Sequence, residues 1–514
     1  MIRSSFLVAL ALACSAGISS AQLALTTLFA ANNGGATGGA FYFDVEVKLK
    51  TTLLALDCNF GATVGTPVGL EIWVTEETRV GKLTDQSLWT LVARDDGSST
   101  SAGRDQATRI TLEKALKLNP GRFGVALVAF GTTHAYTDGA RVIADGFLEI
   151  ETGDAMNTPF AGGINTPRTW NGRLIYGPKS VKGPFLYAYD DDTGAVHGFL
   201  LDKKTGVPGQ LLGSPFAATG GGISCGGNCQ TLAADPKGRF LFAATNSGLA
   251  VLRKGTGGVL EQVAGSPFAG AGRLNGVGTW SSGNTLLVFG VATQAGVLNA
   301  FEIDLETGAA TLRPQAPEIG GSGSIGLAVG SDFLYVVNQN DAEFHGFAID
   351  SSSGALSPTP NSPYSIPGIS DPFNATLDAK QTLIAVNDCS DGDYGFATID
   401  KTTGALLFPV VVSGASGCSE VFGFSSKGVF YGGGDSVIDV IASGSTLVGS
   451  PTVPAIAIDL GLVTPKGNAV YFIGVTSLHH APIDKRLAVP IASQTTTLDS
   501  VFNDRPTGVI LLSK

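Results

Sequence analysis

Pro236-Lys237-Gly238-Arg239-Phe240-Leu241-Phe242 sets a turn directly before an apolar run. Pro and Gly punctuate the chain, and Phe and Leu suit a strand buried on both faces. The phrase recurs as Lys182-Gly183-Pro184-Phe185-Leu186-Tyr187, Ser282-Gly283-Asn284-Thr285-Leu286-Leu287 and Ser331-Asp332-Phe333-Leu334-Tyr335. Lys380-Gln381-Thr382-Leu383-Ile384, Lys427-Gly428-Val429-Phe430-Tyr431 and Lys466-Gly467-Asn468-Ala469-Val470-Tyr471 complete the set. The seven copies lie 39 to 55 residues apart. That is the period of a four-stranded propeller blade, which cannot bury its own faces and must stack on neighbours. The expected fold class is therefore all-β, a seven-bladed β-propeller.

The second copy lays out one blade. Residues 230–235 read as the inner strand, 239–245 as the second, 249–253 as the third and 259–264 as the outer. Phe301-Glu302-Ile303-Asp304 and Phe347-Ala348-Ile349-Asp350 fill the third-strand slot elsewhere. Thr307-Gly308-Ala309, Ser353-Gly354-Ala355-Leu356 and Thr403-Gly404-Ala405-Leu406 make the turn after it. Gly213-Ser214-Pro215-Phe216, Asn361-Ser362-Pro363-Tyr364 and Gly449-Ser450-Pro451 follow the outer strand. These phrases resemble the lactonase-type, 6-phosphogluconolactonase-like propeller family over roughly residues 172–514. The resemblance implies seven blades and, as an activity, hydrolysis of sugar lactones. The matching phrases are scaffold and include no catalytic residue. Gly508-Val509-Ile510-Leu511-Leu512 is expected to close the ring by pairing into the first blade, with Arg173-Leu174-Ile175-Tyr176 as its competitor.

Residues 1–21 read as a signal peptide. Arg3 is the charged start, residues 6–13 are apolar, and Ser19-Ser20-Ala21 offers a cleavage site before Gln22. The apolar run is too short to span a bilayer. A secreted, periplasmic or envelope location is expected. Residues 22–155 lack the repeat. Ala40-Phe41-Tyr42-Phe43-Asp44-Val45-Glu46-Val47 alternates, and Gly124-Val125-Ala126-Leu127-Val128-Ala129-Phe130 is a continuous apolar run. A β-sandwich domain is expected here, resembling small sandwich domains of secreted bacterial proteins. Residues 156–171, with Pro159, Gly162, Gly163 and Pro167, read as a linker to a propeller over 172–514. The net charge of −11, without basic clusters, disfavours nucleic acid and anionic membranes. A monomer that meets a small molecule, a glycan or a surface partner is expected.

Counting back from the turns locates a candidate site. Gln230, Asn275, Ser324 and Glu420 stand eight residues before Gly238, Gly283, Asp332 and Gly428. Asp459 keeps the same offset from Gly467, and Asn374 fits within a one-residue slip. Most copies thus set a hydrogen-bonding side chain where an inner strand enters the channel. Such a ring suits a sugar or small acid, but inner strands converge on a wet axis, where polar residues are expected anyway to bridge strands or hold channel water. Glu420 or Asp459 could serve as a general base, with Arg273 as the cation for an oxyanion.

Five cysteines follow the leader: Cys58, Cys225, Cys229, Cys389 and Cys418. Cys389 and Cys418 are expected on one face at adjacent blades. A disulfide there closes a loop of about 30 residues and stabilises by about 2–4 kcal/mol. Cys225 and Cys229 could close a tight loop, leaving Cys58 over. The acidic loops Asp190-Asp191-Asp192, Asp341 with Glu343, and Asp388 with Asp391 and Asp393 make calcium conceivable, but the last lacks the terminal Glu of a calcium loop and solvated turns account for them better. No other cofactor is implied. His197 and His345 share one repeated slot, which marks them as scaffold, and the adjacent His479 and His480 point to opposite faces. The leading reading is a binding protein. The alternatives are a lactone hydrolase and a structural envelope protein.

Overall fold

The computed structural model describes residues 22–177, 183–190, 192–218, 220–222, 230–314, 317–320, 323–414, 420–434, 436–442, 446–453, 458, 460–474, 476–498 and 506–512. Among these the chain is nearly all β, and its helical elements are single 3-10 turns such as Gln86–Leu88 and Thr293–Ala295.

The repeat copies become the second strands of successive antiparallel sheets. They are Phe185–Asp190, Phe240–Thr245, Thr285–Ala292, Phe333–Asn338, Leu383–Asp388, Val429–Gly434 and Ala469–Ile473. All are buried along most of their length, which is why they read as unbroken apolar runs. Neighbouring sheets share cores: Phe240, Phe242 and Val251 of one pack with Leu286, Val288 and Phe301 of the next.

The inner strands are Leu232–Ala234, Gly276–Ser282, Ser324–Val329, Pro372–Leu377, Glu420–Phe424 and Leu460–Val463. In the first sheet Pro506–Leu512 takes that place, with Leu512 opposite Phe185 and Gly508 opposite Tyr189. Each inner strand touches the next, and Pro506–Leu512 touches both Leu460–Val463 and Leu232–Ala234. The circuit is closed, and the inner strands face one another as short, protected sheet edges around the centre. Crowding there demands glycine: a Cβ on Gly326 would lie 2.5 Å from the carbonyl oxygen of Phe373 on the neighbouring inner strand. The fold is all-β and propeller-like.

Gly172–Tyr176, the competitor for ring closure, pairs elsewhere, with Leu23–Thr26 and Thr51–Cys58. With Thr108–Leu118 these make a four-stranded sheet. A seven-stranded sheet runs through Leu148–Thr158, Ala40–Val47, Gly121–Phe130 and Gly69–Glu76. The two share a core in which Phe41, Phe43 and Leu70 of one meet Leu25, Leu56 and Ile110 of the other. Residues 156–171, expected to be a linker, belong to this unit instead. Leu148–Thr158 turns back at Phe160 into Ala161–Asn165, and Arg168–Trp170 pairs with Ala135–Asp138. Trp170 is fully buried and stacks on Phe43 with ring centres 5.2 Å apart. Of the residues that suggested a linker, Pro159 and Pro167 lie in the turns, while Gly162 and Gly163 lie within the short strand Ala161–Asn165.

The two-sheet unit is sewn to the ring. The Leu212 amide donates to the Gln22 carbonyl at 2.6 Å, and Leu23 bridges to Leu211. Leu23, Phe147, Leu211 and Phe216 share one apolar cluster.

Candidate functional site

Antiparallel pairing decides which strand ends share a face. Gly276–Ser282 begins opposite Val291, Ser324–Val329 opposite Asn338, and Pro372–Leu377 opposite Asp388. Inner strands therefore start beside the turns that leave the second strands. The candidate residues stand at these starts. Asn275 directly precedes its strand, Ser324 and Glu420 open theirs, Asn374 is third in its own, and Gln230 lies just before Leu232–Ala234.

Three of these have side chains with defined roles. The Arg273 Nε donates to Asn275 Oδ1 at 3.0 Å, and Asn275 is buried. The guanidinium is thus aimed by an amide that is itself fixed, since the Asn275 backbone N–H donates to the Val291 carbonyl at 2.9 Å. The Asn374 backbone N–H donates to Asn387 Oδ1 at 2.7 Å, while its own buried Oδ1 has no hydrogen-bond partner among the described residues. The space for that amide exists because residue 326 is glycine: a Cβ there would lie 3.0 Å from Asn374 Oδ1. The Gln230 carbonyl accepts from the Val277 amide at 2.9 Å, joining two inner strands. Its buried Oε1 is likewise without a partner among the described residues. Buried amide oxygens without donors are costly, at about 1–3 kcal/mol each, so they call for water or a ligand hydroxyl. Of the expected catalytic set, only Arg273 has a described side chain. The side chains of Ser324 and Glu420, and Asp459 altogether, lie outside the described residues, as do Cys225, Cys229 and Cys418.

The rim is built from polar residues at and just past the ends of the second strands; sequence reasoning marks Asp190, Asp341 and Asp388 among them as acidic turns and passes over Asn338 and Gln339. Asn338 Nδ2 donates to Asp341 Oδ2 at 2.8 Å, and Gln339 Nε2 to Asp371 Oδ1 at 2.7 Å in the next sheet. The detectable signal was a polar residue closing four of the seven apolar runs: Asp190, Thr245, Asn338 and Asp388.

No family model and no curated protein matches the chain. Solved structures do. A candidate 6-phosphogluconolactonase from Bacteroides fragilis is 13% identical, and the likeness covers 65% of this chain and 99% of that one with a TM-score of 0.52. A protein from Lactobacillus plantarum is 15% identical over 65% of this chain and 100% of its own, also at 0.52. A periplasmic gluconolactonase from Pseudomonas aeruginosa is 13% identical over 64% and 98%, at 0.50. The chain has a lactonase-like propeller fold. At these identities the likeness speaks for architecture alone.

Within the lactonase-like fold the acidic turns are occupied with their own backbone. Asp388 Oδ1 accepts from the Ser390 amide at 2.8 Å and its hydroxyl at 2.6 Å, and Oδ2 accepts from the Ser370 amide at 2.6 Å. Those bonds hold its carboxyl below the usual range despite burial. Asp190 caps its turn in the same way, accepting from the amides of Asp192 and Thr193. Among the described residues no group of three His, Cys, Asp or Glu side chains suits a metal ion. His197 Nε2 lies 3.5 Å from Asp190 Oδ2, and both residues are buried. Burial lowers the His345 pKa against the opposing influence of Glu343 and Asp341. His479 stacks on Phe472 and His480 leans on Tyr471, so the two do face apart. No helix among the described residues is long and apolar enough to cross a membrane.

Proposed function

We propose that the ring mouth receives a small polyhydroxylated acid or its lactone, on an exported protein whose leader is residues 1–21. The carrying observation is a pair of buried amide oxygens at inner-strand starts, Gln230 Oε1 and Asn374 Oδ1, that have no donor among the described residues. Sugar hydroxyls donate to amide oxygens, and a carboxylate or lactone carbonyl answers the guanidinium that Asn275 holds in place. Calorimetry with gluconate, glucono-lactone and a glycan panel tests this. Micromolar to millimolar binding of the acid, weakened at least tenfold by Arg273→Met and by Asn374→Leu, is expected. Absence of saturable binding to every compound rejects the reading.

Lactone hydrolysis is the second reading, favoured by likeness in fold to a protein described as a periplasmic gluconolactonase. Glu420 or Asp459 would take a proton from water as its oxygen adds to the lactone carbonyl. The ring C–O bond then breaks, and the departing alkoxide regains the proton to give the hydroxy acid. A pH-stat assay with Glu420→Gln and Asp459→Asn tests the assignment; full turnover in both variants removes it.

The same proposal reads the ring as seven blades and the two N-terminal sheets as a sandwich. It also pairs Cys389 with Cys418 at the rim. Support for the pairing is that Cys389 is already bonded through its sulfur, whereas Cys58 is free and buried. Peptide mapping without reduction is the check, and recovery of Cys418 as a free thiol rejects it.

A further inference from the structure

A cavity of about 230 Å³ lies between the two N-terminal sheets. Phe43, Ile72 and Leu127 line it from one sheet, and Leu56, Leu116 and Leu174 from the other. Protein interiors pack as densely as organic crystals and keep few voids larger than a water molecule. A void of about 150 Å³ with such a lining stays dry and takes up benzene, because water there finds no polar partners. This cavity is larger and lined in the same way. Its walls therefore lack contacts that a hydrocarbon would restore.

The cavity has a mouth. Leu118, Phe123 and Val125 are half-buried at one end, and Lys117 and Asn119 stand exposed beside them. Lys117 is the only charged residue of the lining, and Asn119 its only other polar side chain. A hydrocarbon interior with one ammonium and one amide at its opening is complementary to a single kind of ligand. That ligand has a slender apolar tail and a small anionic head. A cationic head meets repulsion at Lys117, and a neutral head forgoes the charge pair.

We propose that the N-terminal two-sheet unit binds a medium-chain aliphatic carboxylate, with its tail between the sheets and its carboxylate at Lys117. The site shares no residue with the ring mouth and stands or falls independently of the function read there. The tail replaces absent packing, and Lys117 decides the sign of the head group.

Titration of the full-length protein with octanoate, octanol and octylammonium, followed by calorimetry and thermal unfolding, tests the proposal. Octanoate is expected to bind at one site and to raise the melting temperature, with octylammonium at least tenfold weaker. Lys117→Glu should weaken octanoate at least tenfold and leave octanol unchanged. Val125→Phe, which fills the cavity, should abolish binding of all three without lowering the melting temperature. If Val125→Phe fails to fold, the smaller Val74→Leu should still weaken all three. No saturable octanoate binding, or equal binding of octanoate and octylammonium, overturns the proposal. So does octanoate binding that survives both the filling and the charge-reversing variants.

Discussion

The hydroxyl of Tyr471 donates to the carbonyl of Gly206 at 2.7 Å, across a separation of 265 residues. It ties the last sheet of the ring to the first. The same bond recurs where Tyr187 meets Gly258 at 2.6 Å, Tyr335 meets Gly404 at 2.7 Å, and Tyr431 meets Ala488 at 2.8 Å. Each time the third residue of a second strand reaches the turn before the outer strand of the following sheet. Tyr471→Phe keeps the ring packing and leaves the Gly206 carbonyl without this donor. A loss of about 1 kcal/mol is expected in urea unfolding. Tyr335→Phe should cost the same, and no loss in either would mean the hydroxyls are idle.

The turn that receives Tyr431 breaks the pattern of its equivalents. Gly206, Gly308, Gly354 and Gly404 hold positive φ at this position, and Ala488 does so at 60°. Alanine in that region carries roughly 1 kcal/mol of strain that glycine avoids. Ala488→Gly is expected to stabilise the protein by about 0.5–1 kcal/mol in chemical denaturation. The reverse change, Gly404→Ala, should be destabilising by more, since its Cβ would lie 2.4 Å from the Phe333 ring. A stabilised Gly404→Ala would contradict this.

Two buried histidines make stability depend on pH. Burial holds His134 and His480 down to about 4. In the unfolded chain each returns to about 6.5 and accepts a proton first. The unfolded state therefore binds more protons between pH 6.5 and 4. Stability is full above that window and falls as the pH drops through it, by at most about 3 kcal/mol for each group. Unfolding midpoints from pH 7 to 4.5 should slope downward, and His480→Phe should flatten the slope. An unchanged slope would show that His480 binds its proton equally well in the folded and unfolded states.

Arg79 is buried between two carboxylates. Its Nε meets Asp154 Oδ2 at 2.8 Å and its Nη1 meets Asp44 Oδ2 at 3.0 Å. Asp44 also receives Arg122 at 3.1 Å, whereas the only ion-pair partner recorded for Asp154 among the described residues is Arg79. Arg79→Met should cost about 3–5 kcal/mol by stranding Asp154. Arg79→Met combined with Asp154→Leu should recover part of that loss. Thermal unfolding of the single and double variants decides it.

The ring was legible because its signal is local and repeated. A turn and a buried strand sit within six residues, and the phrase Phe185-Leu186-Tyr187 already contained the tyrosine that locks adjacent sheets. The N-terminal boundary was not legible, because Trp170 is held by Phe43, far away in sequence, while the neighbouring glycines advertise only flexibility. The site was half legible. Counting from turns found the inner-strand starts, where Asn275 and Asn374 stand. It missed Asn387 and Gln339, whose importance comes from which backbone or carboxylate they reach across strands. The cavity beside Lys117 left no trace in the sequence, since a void is a property of packing.

The strand Pro506–Leu512, lying innermost beside Phe185–Asp190, also sets an order of events. Synthesis runs from one end, so the first sheet waits, lacking its central member, until every other sheet has been made. An open ring with an unpaired edge is the state in which such a chain is exposed to misassembly and aggregation. Closure is a long-range step that can come only last, so cutting away Pro506–Leu512 should leave the earlier sheets formed and the circle unsealed.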